Sequence, residues 1–306
     1  MTLGLFLTQV LNGLQLGILL FLLAAGLTLV FGIMNFVNLA HGSLYMMGAY
    51  FAAAAFGYTG SFLLAGAFAI PATMVLGIIV ERVALTHLYR RDHLDQVLAT
   101  FGLILFFNEL VRMIWGPASV YMNAPEVLTG TVELFGLRYP AYRFAIIGVG
   151  LSVALGLYLL IHRTRMGMLI RAGATHPEIV SALGVNVRGL NTLVFSLGAG
   201  LAGLAGLMAG PIVSVQSGMG EPILILTLVV IVTGGIGSIR GAFYGALIVG
   251  VVDTIGRAFL PTLLREVMER SLAQAAGPAI ASILIYLVMA VVLALRPQGL
   301  FPVKHG

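Results

Sequence analysis

The sequence predicts an all-α, polytopic transmembrane bundle of about eight or nine spans, some of them broken helices. Three observations predict it. Of 306 residues, 60% are hydrophobic and only 9% are charged, where a soluble domain carries about 25% charged residues. Mean hydropathy is +1.07, and several apolar runs reach about 20 residues, the length that crosses a bilayer as a helix. The runs are continuous rather than alternating. In lipid a span must satisfy its own backbone hydrogen bonds, which leaves helices or a closed barrel, and a barrel requires alternation.

Taken in order, the spans fall near 8–33, 36–56, 62–81, 96–114, 144–161, 190–210, 223–236, 241–259 and 278–295. The N-terminus MTLGLFLTQ lacks the basic start of a signal peptide, so its apolar run is the first span. The loop 116–142 mixes Pro117, Pro125, Glu126, Glu133 and Pro140, and within it VELFGLRYP turns like a short hairpin. The span at 190–210 is marked by Gly198, Gly200, Gly203, Gly206 and Gly210, a spacing that lets membrane helices approach closely. GAGLAG at 198–203 matches a dinucleotide fingerprint formally, but no strand precedes it, so it reads as helix packing. The segment 223–236 is short, and a pair of half-helices could replace it. LLREVMERSLAQAA at 263–276 has the spacing of an amphipathic surface helix. The whole chain, 1–306, reads as one transmembrane domain.

The segment HRTRMGMLIRAGATHPEIVSALGVNVRG at 162–189 carries Arg163, Arg165, Arg171 and Arg188 against one acid, Glu178. Lys and Arg accumulate on the cytoplasmic side, so this loop faces the cytoplasm. So do Arg82 with Arg90 and Arg91, and Arg296 with Lys304. With nine passes the N-terminus then lies outside and the C-terminus inside. Residues 172–183 could form a surface helix with Pro177 in its first turn.

Several functions are excluded. A net charge of +5 is spread over loops and helix ends, which suits orientation in a membrane and not nucleic-acid binding. Cysteine is absent, so there is no disulfide or thiol chemistry. The one lysine, Lys304, stands in no Walker A pattern, so ATP, if it drives transport, is held by another polypeptide. No cofactor is expected on this chain, and no metal site, because no second His or carboxylate sits at ligand spacing from His41. Hydrolase signatures are missing.

Two segments interrupt the apolar pattern. Phe31–Tyr50 contains Asn35, Asn38, His41, Gly42 and Ser43. Val232–Leu247 contains Thr233, Gly234, Gly235, Gly237 and Ser238. Paired interruptions point to a substrate path, since broken helices expose backbone groups that can hold a carboxylate. Either interruption could instead be a tight cytoplasmic turn, and Arg240 favours that for the second. His41 could contact substrate or move a proton, or bond a backbone carbonyl. Within the spans, Glu109 with Arg112 and Asp253 with Arg257 stand at pairing distance along a helix. Such charges are often functional, but each here has a neighbour that neutralises it.

Four stretches together resemble the shorter, H-type membrane permease of branched-chain amino acid ABC importers. They are AAGLTLVFGIMNFVNLAHGSLYMMGAY at 24–50, RAGATHPEIVSALGVNV at 171–187, TGGIGSIRGAFYGALIVG at 233–250 and RPQGLFP at 296–302. The resemblance runs nearly end to end. It implies a bacterial inner-membrane protein that pairs with an M-type permease and binds two ATP-binding subunits, of G and F type. A periplasmic substrate-binding protein would deliver substrate outside. ATP binding would close the ATPases and rock the permeases between inward and outward access. It also implies a docking loop with the pattern Glu-Ala-Ala-x-x-x-Gly, matched by Glu178 and Gly184. Arg171, Pro177 and Ala182 fall in the same segment. Ile179 and Val180 replace the alanines, and the later Ile-x-Leu-Pro is missing, so the role carries over but individual contacts do not.

The family also handles urea, other amides and aromatic acids. A path lined by Asn35, Asn38, His41, Ser43 and Thr233 is weakly polar and suits a small zwitterion with an aliphatic side chain. Two other classes compete. An ion-coupled transporter or channel would use the intramembrane charge pairs and move substrate alone. A membrane enzyme has only His41 in its favour.

Overall fold

A computed structural model of the protein describes residues 3–89, 91–134 and 136–302. Arg90 and Lys304, two of the basic residues used for orientation, lie outside the described residues. The helices are α1 (Leu3–Met34), α2 (His41–Thr59), α3 (Phe62–Val83), α4 (His93–Trp115), α5 (Ala141–Arg163), α6 (Arg165–Thr175), α7 (Pro177–Ala182), α8 (Val187–Ala209), α9 (Gly220–Gly234), α10 (Ile239–Leu264) and α11 (Arg270–Leu295). Strands β1 (Thr131–Leu134) and β2 (Leu137–Pro140) form the antiparallel hairpin expected from VELFGLRYP.

Each of the nine expected spans falls on one helix. Seven helices are long and apolar enough to cross a membrane: α1, α3, α4, α5, α8, α10 and α11. The other two are embedded but differ in kind. α9 has 15 residues, about 22 Å of helix, short of the roughly 30 Å hydrocarbon core. α2 begins at His41 rather than near residue 36.

α1 is the axis of the bundle. It is apolar on all sides, as a helix enclosed by others must be, and Leu20 through Ala25 are fully buried. It packs along α10, α8, α5 and α9. Small residues set these crossings. A Cβ on Gly17 would lie 2.8 Å from the Ala246 carbonyl oxygen of α10, and one on Gly26 would lie 2.7 Å from that of Gly198 on α8. Without a hydrophobic drive between helices in lipid, such close backbone packing is what holds them together.

Two expectations are corrected. The helix anticipated over 172–183 is two helices, α6 and α7, with His176 extended between them (φ −140°, ψ 71°). Pro177 lacks an N–H and disfavours helical geometry in the residue before it, so it opens α7 and ends α6. There is also no separate surface helix over 263–276. α10 runs on to Leu264 and α11 starts at Arg270. The polar–apolar spacing of that segment belongs to the protruding ends of two antiparallel helices.

All three basic segments lie at one end of the bundle. Arg82 of α3 reaches Thr192 of α8, Arg240 lies over the Tyr158 ring of α5, and Phe301 stacks on Tyr244. The hairpin, the 116–128 loop and the α8–α9 loop gather at the other end. There Val120 and Val215 exchange backbone hydrogen bonds, and the Tyr139 hydroxyl donates to the Asn12 side chain at 3.1 Å.

Candidate functional site: a re-entrant segment and a docking segment

The first break begins where α1 ends. Asn35 adopts φ +46°, the one described non-glycine residue at positive φ. Asparagine tolerates this left-handed conformation, and its N–H closes the last turn on Phe31 O at 2.9 Å. The chain then runs back into the protein. Phe36 and Asn38 are 0% and 1% exposed, and α2 starts at His41 beside Gly26. Gly26 is eight residues before the end of α1, so His41 sits about 12 Å inside it. A buried non-helical stretch must find partners for its backbone. The Val37 N–H donates to Gln96 Oε1 at 3.4 Å, and the His41 and Ser43 N–H groups donate to Asn38 O and Ala40 O.

Several side chains here lack protein partners. Both amide atoms of Asn38, both ring nitrogens of His41, and the hydroxyls of Thr28 and Thr233 are buried and unpartnered. Each such group costs about 1–3 kcal/mol. Gly42 and Ser43 are buried in the first turn of α2. A Cβ on Gly42 would lie 2.5 Å from Gly220 O, so the N-termini of α2 and α9 meet inside the bundle.

The second break is different in character. Gly235 (φ 110°) and Gly237 (φ 81°) make a tight turn from α9 to α10, and Ser238 caps α10 by accepting from the Gly241 N–H at 3.1 Å. The last carbonyls of α9 are not free. The Leu300 N–H donates to Thr233 O at 3.0 Å and the Phe301 N–H to Gly234 O at 2.9 Å. The motifs TGGIGSIRG and RPQGLFP are thus one contact. The two breaks touch at Gly32 and Gly237, but Asn38 and His41 turn inward while Gly235 faces the C-terminal segment.

The segment expected from the sequence to dock a partner stands apart at the basic end. Thr164 caps α6 by accepting from the Gly167 N–H at 3.1 Å, and the Arg171 guanidinium donates to Ile161 O at the end of α5. α7 then projects outward. Of its residues only Val180 is buried; Pro177, Glu178, Ile179, Ser181 and Ala182 are exposed. Ile179 is 57% and Leu183 77% exposed. Gly184 (φ 85°) reverses the chain, and the Val185 N–H closes the cap on Val180 O at 3.3 Å, the left-handed helix ending that glycine favours.

Both intramembrane charge pairs form. Arg112 donates to Glu109 at 2.8 Å, with both side chains exposed, and Arg257 donates to the buried Asp253 at 2.6 Å. Arg257 also reaches Ser282 of α11 at 3.1 Å. Among the described residues no three His, Asp or Glu side chains gather to hold a metal.

Polar residues that the sequence did not single out are also buried. Glu81, at 2% exposure, accepts from the Tyr89 hydroxyl at 2.7 Å and from Thr192 at 2.9 Å. Burial, then the hydrogen bond to and charge of Glu81, push the Tyr89 phenol up, so it remains a donor. Gln96, 3% exposed, ties Val37 to the Leu88 and Arg91 carbonyls. At the N-terminus of α9, Glu221 accepts from Asn108 of α4 at 2.5 Å. The acid-before-apolar-run pattern at Glu221 was a usable signal, because a carboxylate suits a helix N-terminus.

An enclosed axial helix, a re-entrant segment with unpartnered polar groups, and a projecting helix at the basic end define a polytopic membrane transport subunit. The sequence relatives specify which kind. The family described as the permease component of the branched-chain amino acid transport system matches residues 9–293, and the chain belongs to that family. It is 31% identical over 312 residues to the high-affinity branched-chain amino acid transport system permease protein LivH of Escherichia coli K12, covering 96% of each chain. It is 32% identical over 266 residues to the corresponding protein BraD of Pseudomonas aeruginosa, covering 82% of this chain and 86% of BraD. The ribose import permease RbsC of Escherichia coli K12 is 27% identical over 245 residues, 76% of this chain and 72% of RbsC. These relatives are transport permeases rather than enzymes. The chain is accordingly a multi-pass membrane transport permease of that family.

Proposed function

We propose that this chain is one of the two membrane halves of an ATP-driven importer for branched-chain or related hydrophobic amino acids. Its partners in this reading are an M-type permease, two ATP-binding subunits and a periplasmic substrate-binding protein. The observation that carries it is α7. A six-residue helix that buries one side chain and offers Ile179, Leu183 and Glu178 to solvent gains little for this chain alone; it suits insertion into a cleft on a soluble partner. Its position among the clustered arginines favours the cytoplasmic side. The opposite end carries Arg112, Arg138 and Arg257 already paired to Glu109, Glu133 and Asp253. The N-terminus would then face outward and the C-terminus inward.

The substrate path in this proposal passes the re-entrant segment at Asn38, His41 and Ser43, with Asn35 and Gly42 setting the backbone. The half-helix N-termini of α2 and α9 suit an amino-acid carboxylate. Thr233 contributes its unpartnered hydroxyl, while Gly234, Gly235, Gly237 and Ser238 shape the turn beside it. The charge pairs neutralise themselves, which leaves little for ion coupling.

Docking is tested with Ile179→Asp combined with Leu183→Asp. Co-purification of the ATP-binding subunits with the permease pair should fall about ten-fold or more, since two exposed apolar anchors for the partner cleft are lost. Undiminished co-purification would remove α7 from the interface. Labelled leucine uptake competed by unlabelled isoleucine but not by ribose or urea supports the amino-acid class; competition by ribose would transfer the reading to the sugar importers.

A further inference from the structure

Glu81 is a carboxylate that the transport reading so far leaves without a purpose. It sits at the end of α3, 2% exposed, and both of its oxygens are occupied. Oε2 accepts from Thr192 Oγ1 at 2.9 Å, and the Arg82 Nε lies 3.6 Å away. Oε1 accepts from the Tyr89 hydroxyl at 2.7 Å, and the Thr86 hydroxyl donates to the Glu81 backbone carbonyl at 2.8 Å. What its partners are attached to matters more. Thr192 lies in the second turn of α8, directly after the docking segment. Tyr89 lies in the α3–α4 loop, and its ring packs edge-on against Phe36 at 5.5 Å. The same loop grips the neighbouring residue a second way, because Gln96 accepts from the Val37 N–H while donating to Leu88 O and Arg91 O. Phe36 and Val37 immediately precede Asn38 in the stretch that leads to His41.

A buried carboxylate that accepts hydrogen bonds on both oxygens is a stiff tie. Its hydrogen bonds are stronger than neutral ones, and pulling Thr192 or Tyr89 away would leave a buried acceptor without its donor. When α7 and the start of α8 shift, Thr192 must carry Glu81, and Glu81 must carry Tyr89 and the segment stacked on it.

We propose that Glu81 is a positioning residue for transport: through Thr192 on one oxygen and Tyr89 on the other, it transmits movement of the docking segment to the re-entrant segment at Phe36–His41. This rests on the reading of α7 as the ATPase docking element and adds the route from that element to the substrate path.

The test uses the complete four-subunit transporter in proteoliposomes with its binding protein. ATP hydrolysis, its stimulation by loaded binding protein, and leucine uptake are measured for wild type, Glu81→Gln, Tyr89→Phe, Thr192→Val and Thr192→Ser. The near-isosteric changes should leave ATPase subunits bound and basal hydrolysis present. Uptake per ATP should fall about ten-fold in Glu81→Gln and Thr192→Val, and Thr192→Ser, which keeps the hydroxyl, should restore it. Combining Glu81→Gln with Thr192→Val should be no worse than Glu81→Gln alone, as members of one network are not additive. Wild-type uptake per ATP in all variants would overturn the tie and leave the docking reading standing. A wild-type complex that never couples hydrolysis to uptake would overturn both. If Glu81→Gln fails to assemble, the Thr192→Val and Thr192→Ser pair decides: equal coupling in the two sinks the proposal.

Discussion

At the scale of single residues, side-chain size is constrained where helices touch and free elsewhere. A Cβ on Gly48 would collide with the Gly203 backbone across the α2–α8 crossing, whereas one on Gly102 in α4 meets nothing within 4 Å. Gly48→Ala should therefore cost about 1–3 kcal/mol through overpacking. Gly102→Ala should be neutral or stabilising by up to about 1 kcal/mol. Thermal midpoints of the two variants in detergent check this, and equal midpoints would contradict the close crossing. Asn38 offers a different contrast. Its buried amide has no protein partner, so Asn38→Leu should hold or raise stability. If Asn38 lines the path, leucine uptake should nevertheless fall; a stable variant with full uptake would take Asn38 out of it.

At the scale of elements, two devices invite direct tests. Gly184 ends α7 at φ 85°, a conformation that costs a residue with a Cβ about 1–2 kcal/mol. Gly184→Ala should fray α7 and weaken ATPase binding by roughly ten-fold, the equivalent of about 1.4 kcal/mol. A binding isotherm with purified ATPase measures it, and an unchanged affinity would contradict the role of this cap. The C-terminal segment closes the α9–α10 turn through the Leu300 and Phe301 amides. Truncation before Leu300 should speed hydrogen exchange at Gly235 and Ser238, where unchanged exchange would mean the turn is held by its own bonds.

Much of this level was legible beforehand, for physical reasons. Long apolar runs betray spans because lipid tolerates little else, and Pro177 announced a helix start, although as the first turn of one helix and not as a break between two. The polar residues from Asn35 to Ser43 marked an interruption. Their inward course was not legible, because it depends on Gln96 and Tyr89 supplying partners from another element. Glu81 was hidden for a similar reason. Beside Arg82 at the end of an apolar run it looks like a solvated loop charge, and its partner Thr192 lies 111 residues away.

For the whole molecule, the proposed function requires that the chain transport only as part of an assembly whose energy comes from outside it. Glu109 with Arg112 and Asp253 with Arg257 neutralise each other locally, and in the proposed reading α7 and the buried tie behind it give an external motor a handle on the interior. The most direct measurement is labelled leucine uptake by proteoliposomes holding this chain, its M-type partner and both ATPases, with loaded binding protein outside and ATP inside. Uptake that appears only with ATP and disappears when any one subunit is omitted is the expected result. Leucine flux through this chain alone, without ATP, would contradict it.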